Sequence, residues 1–210
     1  MQGCDEPGGR WSDWKRDFGR DAPLELEVGP GRGAFALDTC AAHPEVDYVA
    51  IETRRSDCEL IRARAARRGL RNLIVLQGDA KLLVPRLFPQ GSLAAVHVQF
   101  PDPWWKTRHH KRRLVDAEFA ALMRRLLAPG GLVDFRTDVP AYAREAGQTW
   151  LEAGFEKLPD QAPEVLSTRE RRYAVTGQPV FRARYRNPAS LDVRPSRERT
   201  GRGWRDTRRK

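Results

Sequence analysis

A constrained acidic residue, two tryptophans and a basic run follow one another in the stretch FPDPWWKTRHHKRR, residues 100–113. Asp102 lies between two prolines that restrict the backbone on both sides, so its carboxylate loses little entropy when it is aimed at a ligand. The rings of Trp104 and Trp105 offer faces on which a base can stack, an interaction worth about 1 to 3 kcal/mol per base. This combination favours chemistry on a nucleic-acid base.

The positive charge after the tryptophans favours contact with phosphates. We expect these contacts from the basic residues of the run, namely Lys106, Arg108, Lys111, Arg112 and Arg113. His109 and His110 have no partners at metal-ligand spacing, and we interpret them as surface or RNA-facing residues. The alternative for the tryptophans is core packing. It explains one of them better than both, because adjacent side chains face different ways.

Three more acidic residues stand at or just after short apolar runs that are typical of strands. Glu27 ends the first run, just before a GPGRG turn in which Gly29 and Gly31 let backbone amides approach a ligand. Glu52 ends the second run, about 20 residues further on, where an acceptor meets ribose hydroxyls in nucleotide-binding folds. Asp79 follows the third run and could accept from the exocyclic amine of an adenine.

Each of these features also has a purely structural interpretation. A tight turn alone explains the glycines, and an acid after a strand can cap the next helix, the reading we favour for Asp79 considered alone. Taken together, acceptors without a P-loop lysine disfavour phosphates and suit a positively charged nucleoside such as S-adenosylmethionine. The GxGxG spacing differs from the GxGxxG fingerprint, so a nicotinamide dehydrogenase is the least supported enzyme.

The elements that must position these residues alternate between strands and helices, which predicts right-handed βαβ units and a mostly parallel sheet covered on both faces. No helix is predicted between the last two strands, so we expect them to form an antiparallel pair at one edge. Ligands bind such sheets beyond the carboxyl ends of the strands. The predicted strands are 24–28, 48–51, 73–76, 93–98, 132–135, 155–158 and 179–185, and the predicted helices 34–42, 55–68, 114–127 and 141–153.

Length and composition predict one domain with two tails. The chain has 210 residues, 40% of them apolar and 31% charged, which is typical of a soluble globular protein. We predict a flexible segment over 1–20, a folded domain over 21–187 and a basic, disordered tail over 188–210. No apolar run approaches the roughly 20 residues that cross a bilayer, and the N-terminus lacks a secretory layout, so we expect a cytoplasmic protein.

Net charge indicates the kind of binding partner, and the cysteines indicate whether disulfides or a metal site are expected. The net charge is +10, and from Arg182 onward eleven basic residues stand against three acidic ones, a field that attracts polyanions such as nucleic acid. A GC-rich genome is the alternative origin of the arginines, and the tail is either an RNA-binding extension or an inert end. Cys4, Cys40 and Cys58 are scattered, with no CxxC pair, so we expect reduced thiols and no metal site.

The blocks LELEVGPGRG, IE, GDA, FPDPWWKTRHHKRRL, GGLVDFRTD, STRERRY and GQPVFRARY occur in this order over about residues 25–185. In order and spacing they resemble the bacterial tRNA (guanine-N7)-methyltransferase family. The resemblance implies a class I methyltransferase fold, a Rossmann-like, doubly wound α/β structure with a mostly parallel seven-stranded sheet and an antiparallel edge strand. It also implies S-adenosylmethionine as cofactor, tRNA as partner, and methylation of a guanine in the tRNA variable loop.

The same resemblance implies roles for single residues. The cofactor contacts fall on Glu27, Glu52, Asp79 and Asp102, and Asp102 also takes the catalytic role. From the turn itself we expect Gly29 and Gly31 to add backbone contacts. The substrate contacts fall on Lys106, Asp138, Ser167 and Glu170. The chain departs from the family pattern at Ser167, where the family usually has threonine, and at Arg169, where it usually has an aromatic residue.

Guanine N7 carries an exposed lone pair, so attack on a sulfonium methyl group needs positioning rather than a base. Asp138 or Glu170 is the kind of acceptor that distinguishes guanine, with its N1–H and amine, from adenine. Two alternatives stay open at this point: methylation of another base nitrogen, and a non-catalytic RNA-binding protein that kept the fold. The sequence is compatible with a monomer or a homodimer.

Overall fold

The computed structural model describes residues 12–188. The predicted tail from residue 189 onward, the first eleven residues and Cys4 lie outside this range. Seven strands and seven α-helices occupy the described part of the chain, with one 3₁₀ segment, Thr107–Arg112. The strands are β1 Leu24–Val28, β2 Asp47–Glu52, β3 Leu73–Gln77, β4 Leu93–Gln99, β5 Leu127–Thr137, β6 Glu156–Lys157 and β7 Phe181–Arg186; the helices are α1 Trp14–Phe18, α2 Ala34–Ala42, α3 Arg55–Arg67, α4 Ala80–Leu87, α5 Ala117–Leu126, α6 Pro140–Glu152 and α7 Thr168–Thr176.

The strands form one sheet in the order β3-β2-β1-β4-β5-β7-β6. The first five strands of the chain pair in parallel, whereas β7 runs antiparallel to both β5 and β6. This arrangement confirms the predicted mostly parallel, seven-stranded sheet with an antiparallel pair at one edge. Strand order reverses between β1 and β4, which is where sheets of this kind bind ligands.

The two faces of the sheet differ in chemistry because the central strands alternate apolar and charged residues. On one face Leu26, Val96 and Val133 are fully buried against α4, α5 and α6 in the main hydrophobic core, and each such side chain stabilises the fold by about 1.5 to 3 kcal/mol. The other face carries Glu27 and His97, which are register partners, under α2, α3 and α7. Charged side chains on a covered face must find partners there.

Helix α7 lies between β6 and β7, so the prediction of no helix between the last two strands is wrong. In α7 only Glu170 and Tyr173 are buried, which leaves no apolar period to detect. The available signal was a capping box, in which Ser167 accepts from the backbone N–H of Glu170 and the Glu170 carboxylate accepts from that of Ser167.

Two further helices were not predicted. Helix α4 contains Pro85 in its interior, a residue that normally argues against a helix. Helix α1 lies within the predicted flexible segment 1–20, and residues 12–20 differ from that prediction. The ring of Trp14 stacks on Phe88 at 5.1 Å, and its indole N–H donates to the carbonyl of Leu87 at 3.2 Å. A lone aromatic residue in a polar segment gives no periodic signal for such docking.

Gly33 begins α2 with a positive φ of 74°, and a Cβ atom there would lie 2.4 Å from Cγ1 of Ile61. Gly31 has a φ of 56° but open space around it. We expect Gly33→Ala to lower the free energy of unfolding by about 1 to 3 kcal/mol more than Gly31→Ala, because overpacking adds to backbone strain. Urea denaturation of both variants measures this, and equal losses would contradict the packing role of Gly33.

Candidate active site

The carboxyl ends of β3, β2, β1 and β4 lie side by side at one rim of the sheet. This topology sets the four predicted acidic residues in a row, because each stands at or just after the end of one of these strands. Along the rim the order is Asp79, Glu52, Glu27 and Asp102. The four acidic residues therefore follow one another across the point where strand order reverses, with Glu27 buried beneath the others.

The Glu52 carboxylate holds the glycine-rich turn in place through hydrogen bonds. One of its carboxylate oxygens accepts from the backbone N–H of Gly31 at 3.0 Å, and the other accepts from the Thr53 hydroxyl and the Arg54 backbone N–H, both at 3.0 Å. A carboxylate offers about four lone-pair sites, so these three donors leave about one for a ligand hydroxyl. Glu52 thus shapes the turn and keeps about one acceptor site free.

The surface above the turn is open. Gly29 and Gly31 have φ angles of 72° and 56°, and no heavy atom lies within 4 Å of the position that a Cβ would take at either residue. Asp79 is exposed and caps α4, with one oxygen accepting from the Lys81 backbone N–H at 2.9 Å. No partner is described for its other oxygen, which remains a free acceptor. Both the structural and the binding interpretation of Asp79 are compatible with this geometry.

Glu27 lies below the rim and is only 1% exposed. The Tyr48 hydroxyl donates to its carboxylate at 3.2 Å. Burial raises the pKa of Glu27 to about 7, against the opposing effects of His97, Tyr48 and Arg136. Burial alone would lower the pKa of His97, but hydrogen bonding and charge from Asp134 and Glu25 outweigh it and raise that pKa to about 9.

Glu27 belongs to a chain of charges that crosses the covered face of the sheet. His97 contacts Glu25 at 2.8 Å and Asp134 at 3.6 Å. Arg136 pairs with Asp134 at 2.6 Å and with Glu170 at 2.7 Å. We call this set the charge layer; its members are Glu25, Glu27, His97, Asp134, Arg136, Glu170 and Arg182, the last of which also pairs with Glu170 at 2.7 Å.

Glu170 is enclosed by this layer rather than presented at the rim. Its side chain is 0% exposed, lies between two arginines and completes the capping box of α7 with Ser167. Ser167 is itself buried. The structure therefore gives both predicted substrate-binding residues a structural task, which is to hold the start of α7. Arg136 adds to this by donating to the carbonyl of Val165 at 2.9 Å.

Asp138 follows β5 at the same rim. Its carboxylate accepts from the Tyr173 hydroxyl at 2.6 Å and lies 3.6 Å from the Arg169 guanidinium. Arg169 in turn lies over the ring of Phe100, 5.0 Å from its centroid. These contacts connect Asp138 to the residue that enters the FPDPWW motif.

The FPDPWW motif forms a constrained turn that exposes Asp102. Phe100 and Trp104 have φ angles of 51° and 46°, unusual for bulky residues and typical of functional turns. Arg113 holds the turn by donating to the Pro103 carbonyl at 2.7 Å.

Arg113 is only 6% exposed, pairs with Glu145 and lies 4.9 Å from the ring centroid of Tyr142. The prediction that Arg113 contacts phosphate is therefore wrong. It came from a charge run that did not reveal which arginine turns inward.

The two tryptophans of the motif and the lysine that follows them differ in exposure. Trp105 is 75% exposed and Lys106 is exposed beside it. Trp104 is half-buried between the imidazole of His109, at 5.9 Å, and the guanidinium of Arg112, at 5.1 Å. The motif thus offers one free aromatic face and one cation next to Asp102.

Within residues 12–188 no group of histidine, cysteine and acidic side chains is arranged to hold a metal ion. No helix in that range is both long and apolar enough to cross a membrane. Cys40 and Cys58 are buried free thiols.

Comparison with known proteins agrees with the geometry. A family model described as "Putative methyltransferase" matches residues 21–183. A tRNA (guanine-N(7)-)-methyltransferase of Anaeromyxobacter dehalogenans is 55% identical over 180 residues, covering 82% of this chain and 90% of that protein. The protein of that name in Myxococcus xanthus is 48% identical over 188 residues, covering 84% and 89%.

Solved structures share the fold at low identity. The 16S rRNA methyltransferase KamB superposes with a TM-score of 0.63 at 20% identity, covering 84% of this chain and 94% of that one. A 16S rRNA (adenine(1408)-N(1))-methyltransferase from Catenulisporales acidiphilia, solved with its cosubstrate S-adenosylmethionine, gives a TM-score of 0.58 at 18% identity, covering 86% and 92%. The fold and the family model define a class I, S-adenosylmethionine-dependent methyltransferase. Within that class, the chain belongs to the tRNA (guanine-N7)-methyltransferase family.

Glu27→Gln removes the ionisable group while keeping an oxygen that accepts from Tyr48. Because the folded pKa of Glu27, about 7, exceeds its ordinary value of 4.5, the folded state retains a proton that the unfolded state loses. The wild type therefore loses stability as pH rises through that window. We expect the stability of Glu27→Gln relative to wild type to increase from about pH 5 to about pH 8 in urea denaturation. A constant difference would show that Glu27 is not buried as described.

Arg136→Met should destabilise the fold by about 3 to 5 kcal/mol, because it leaves Asp134 and Glu170 without their shared buried cation. Arg182→Met is the matched control, since the side chain of Arg182 is 38% exposed and Glu170 keeps Arg136. We expect a clearly smaller loss for it. Chemical denaturation of both variants at one pH measures the two losses in the free energy of unfolding. Similar losses would contradict a central role for Arg136.

Proposed function

We propose that this chain transfers the methyl group of S-adenosylmethionine to N7 of a guanine in the variable loop of tRNA. The observation that carries the proposal is the exposed Asp102, held in its turn at the rim, beside a free tryptophan and a free lysine. Family membership and the names of the 55% and 48% identical relatives support it. A tRNA substrate also favours a cytoplasmic location for the protein.

The main requirement of the reaction is that the protein positions the two reactants. S-adenosylmethionine supplies a methyl group on a positively charged sulfur, and guanine N7 supplies a lone pair with no proton to remove. Holding two reactants in a near-attack geometry contributes about 7 to 11 kcal/mol to catalysis. Rigid positioning is what the constrained turn around Asp102 and the glycine-rich turn over Glu52 provide.

We assign the donor side of the site to the carboxylates of the rim. Glu52 offers its remaining acceptor site to the ribose, and Asp79 offers its free oxygen to the adenine amine. The open surface over Gly29 and Gly31 admits the rest of the nucleoside. Glu27, enclosed below the rim, adds negative potential beneath a cationic ligand when it is ionised.

Asp102 serves the acceptor side as the catalytic residue. During transfer, positive charge moves from sulfur to the guanine ring, and a preorganised carboxylate next to that ring stabilises it. The prolines on either side and Arg113, which binds the Pro103 carbonyl, keep this carboxylate in place. The same carboxylate can orient the base by accepting from its donors.

Recognition of guanine falls to Asp138, because Glu170 is enclosed between Arg136 and Arg182. Trp105 offers a stacking face, and Lys106 a contact to phosphate. Since N7 lies in the deep, narrow major groove of an A-form helix, the target base must be accessible or extruded to reach this rim.

Asp102→Asn should lower methyl transfer to tRNA by roughly 100-fold or more, because it removes the charge that stabilises the developing cation. The matched control is Asp21→Asn at an exposed carboxylate that pairs with Lys15, and it should retain full activity. The measurement is incorporation of labelled methyl from S-adenosylmethionine into tRNA, followed by nucleoside digestion.

Label in 7-methylguanosine supports the proposal. Label in another nucleoside would overturn the N7 assignment and favour a different base nitrogen. Absence of label together with tRNA binding would favour a non-catalytic RNA-binding protein.

A further inference from the structure

A basic hollow lies on the outer surface of the helices that cover the charge layer. It encloses about 460 Å³ between α2, α3 and α7. We call it the arginine hollow; its lining residues are Ala34, Leu37, Asp38, Arg64, Arg67, Arg68 and Arg171. Four guanidinium groups and one carboxylate give it a net charge of +3. None of these side chains takes part in the rim described above.

Asp38 preorganises two of the arginines. Arg68 donates to one of its carboxylate oxygens at 2.7 Å, and Arg171, which lies 133 residues away in sequence, donates to the other. Against the effect of burial, these two guanidinium groups lower the pKa of Asp38. The carboxylate therefore stays charged near neutral pH and holds α7 against α2.

The other two arginines keep their charge uncompensated. Arg64 donates to the carbonyl of Arg32 at 3.1 Å, which extends the basic surface to the glycine-rich turn. Arg67 is exposed and makes no ion pair within the described residues. Uncompensated guanidinium groups next to a preorganised pair are suited to phosphate oxygens.

The chemistry favours a polyanion over a single small anion. A lone phosphate seated between Arg68 and Arg171 would have to displace Asp38. A backbone with several phosphates can bind Arg64 and Arg67 and leave the Asp38 pairs intact. The hollow borders the rim on two sides, through the bond of Arg64 to the Arg32 carbonyl beside Gly31 and through α7, whose Tyr173 binds Asp138.

We propose that the arginine hollow binds the sugar-phosphate backbone of tRNA away from the target base, a proposal that rests on the proposed function. The hollow contributes affinity without sequence information, as phosphate contacts do. It orients the RNA across α2 and α7, so that the target nucleotide reaches the rim.

The test compares two double variants with the same loss of charge. Arg64→Gln/Arg67→Gln removes the uncompensated charges of the hollow. Arg86→Gln/Arg144→Gln is the control, because both residues are exposed on α4 and α6, across the sheet from the hollow. Matching thermal unfolding and matching S-adenosylmethionine affinity by calorimetry establish that each variant keeps its fold and its cofactor site.

We expect the hollow variant to raise the KM for tRNA roughly tenfold while kcat at saturating tRNA is unchanged. In filter binding, the slope of log Kd against log salt should become shallower by about 2, one unit for each lost phosphate contact. The control should leave both quantities close to wild type.

If both variants weaken tRNA binding equally, the effect comes from net charge and not from the position of the arginines, and the proposal is wrong. It is also wrong if neither variant has an effect. Titration with inorganic phosphate alone separates the other source of the same chemistry. Binding of phosphate that is lost in the hollow variant, with tRNA affinity unchanged, would assign the hollow to a free anion. Filter binding reports on the hollow even if the wild type forms no 7-methylguanosine, so the two proposals can fail separately.

Discussion

The pairing of Arg136 with Asp134 and Glu170 is the constraint on which the rest of the site depends. Strands β1 and β5 and helix α7 bring acidic side chains to a covered face of the sheet, where an unpaired charge is costly. Arg136 satisfies two of them at 2.6 and 2.7 Å. Its guanidinium also lies 4.9 Å from the ring centroid of Phe35 in α2. One cation thus joins the central sheet, the helix α2 after the glycine-rich turn and the helix α7.

In this arrangement the residues that hold the helices are different from the residues that are available to ligands. The charged groups that hold the helices lie beneath them, whereas the groups available to ligands lie at the rim or on the outer surface. Ser167 and Glu170 belong to the first class, and Asp102, Asp79 and Lys106 to the second. A site built this way is preorganised, because the acceptors at the rim stand on turns whose backbone is held by hydrogen bonds from below.

Patterns of local sequence predicted most of the elements and the row of acidic residues. Strand β1 and helix α2 match their predicted bounds, because apolar alternation and a glycine turn act over a few residues. Helix α7 was missed since its contacts are to distant charges instead of an apolar stripe. Arg113 was misassigned for the same reason: its partners, Glu145 and Tyr142, are about 30 residues away, and a charge run does not show which member turns inward.

The sequence by itself determined the fold class, the family and the positions of the acceptors along the strands, because periodicity, turn residues and motif spacing are local properties of the chain. Only the tertiary structure decided which charges are available to ligands. Burial and pairing depend on residues far apart in sequence, such as Glu170 with Arg136 or Asp38 with Arg171. A carboxylate at the rim and one in the charge layer have the same chemical formula, and the surrounding packing alone gives them different tasks.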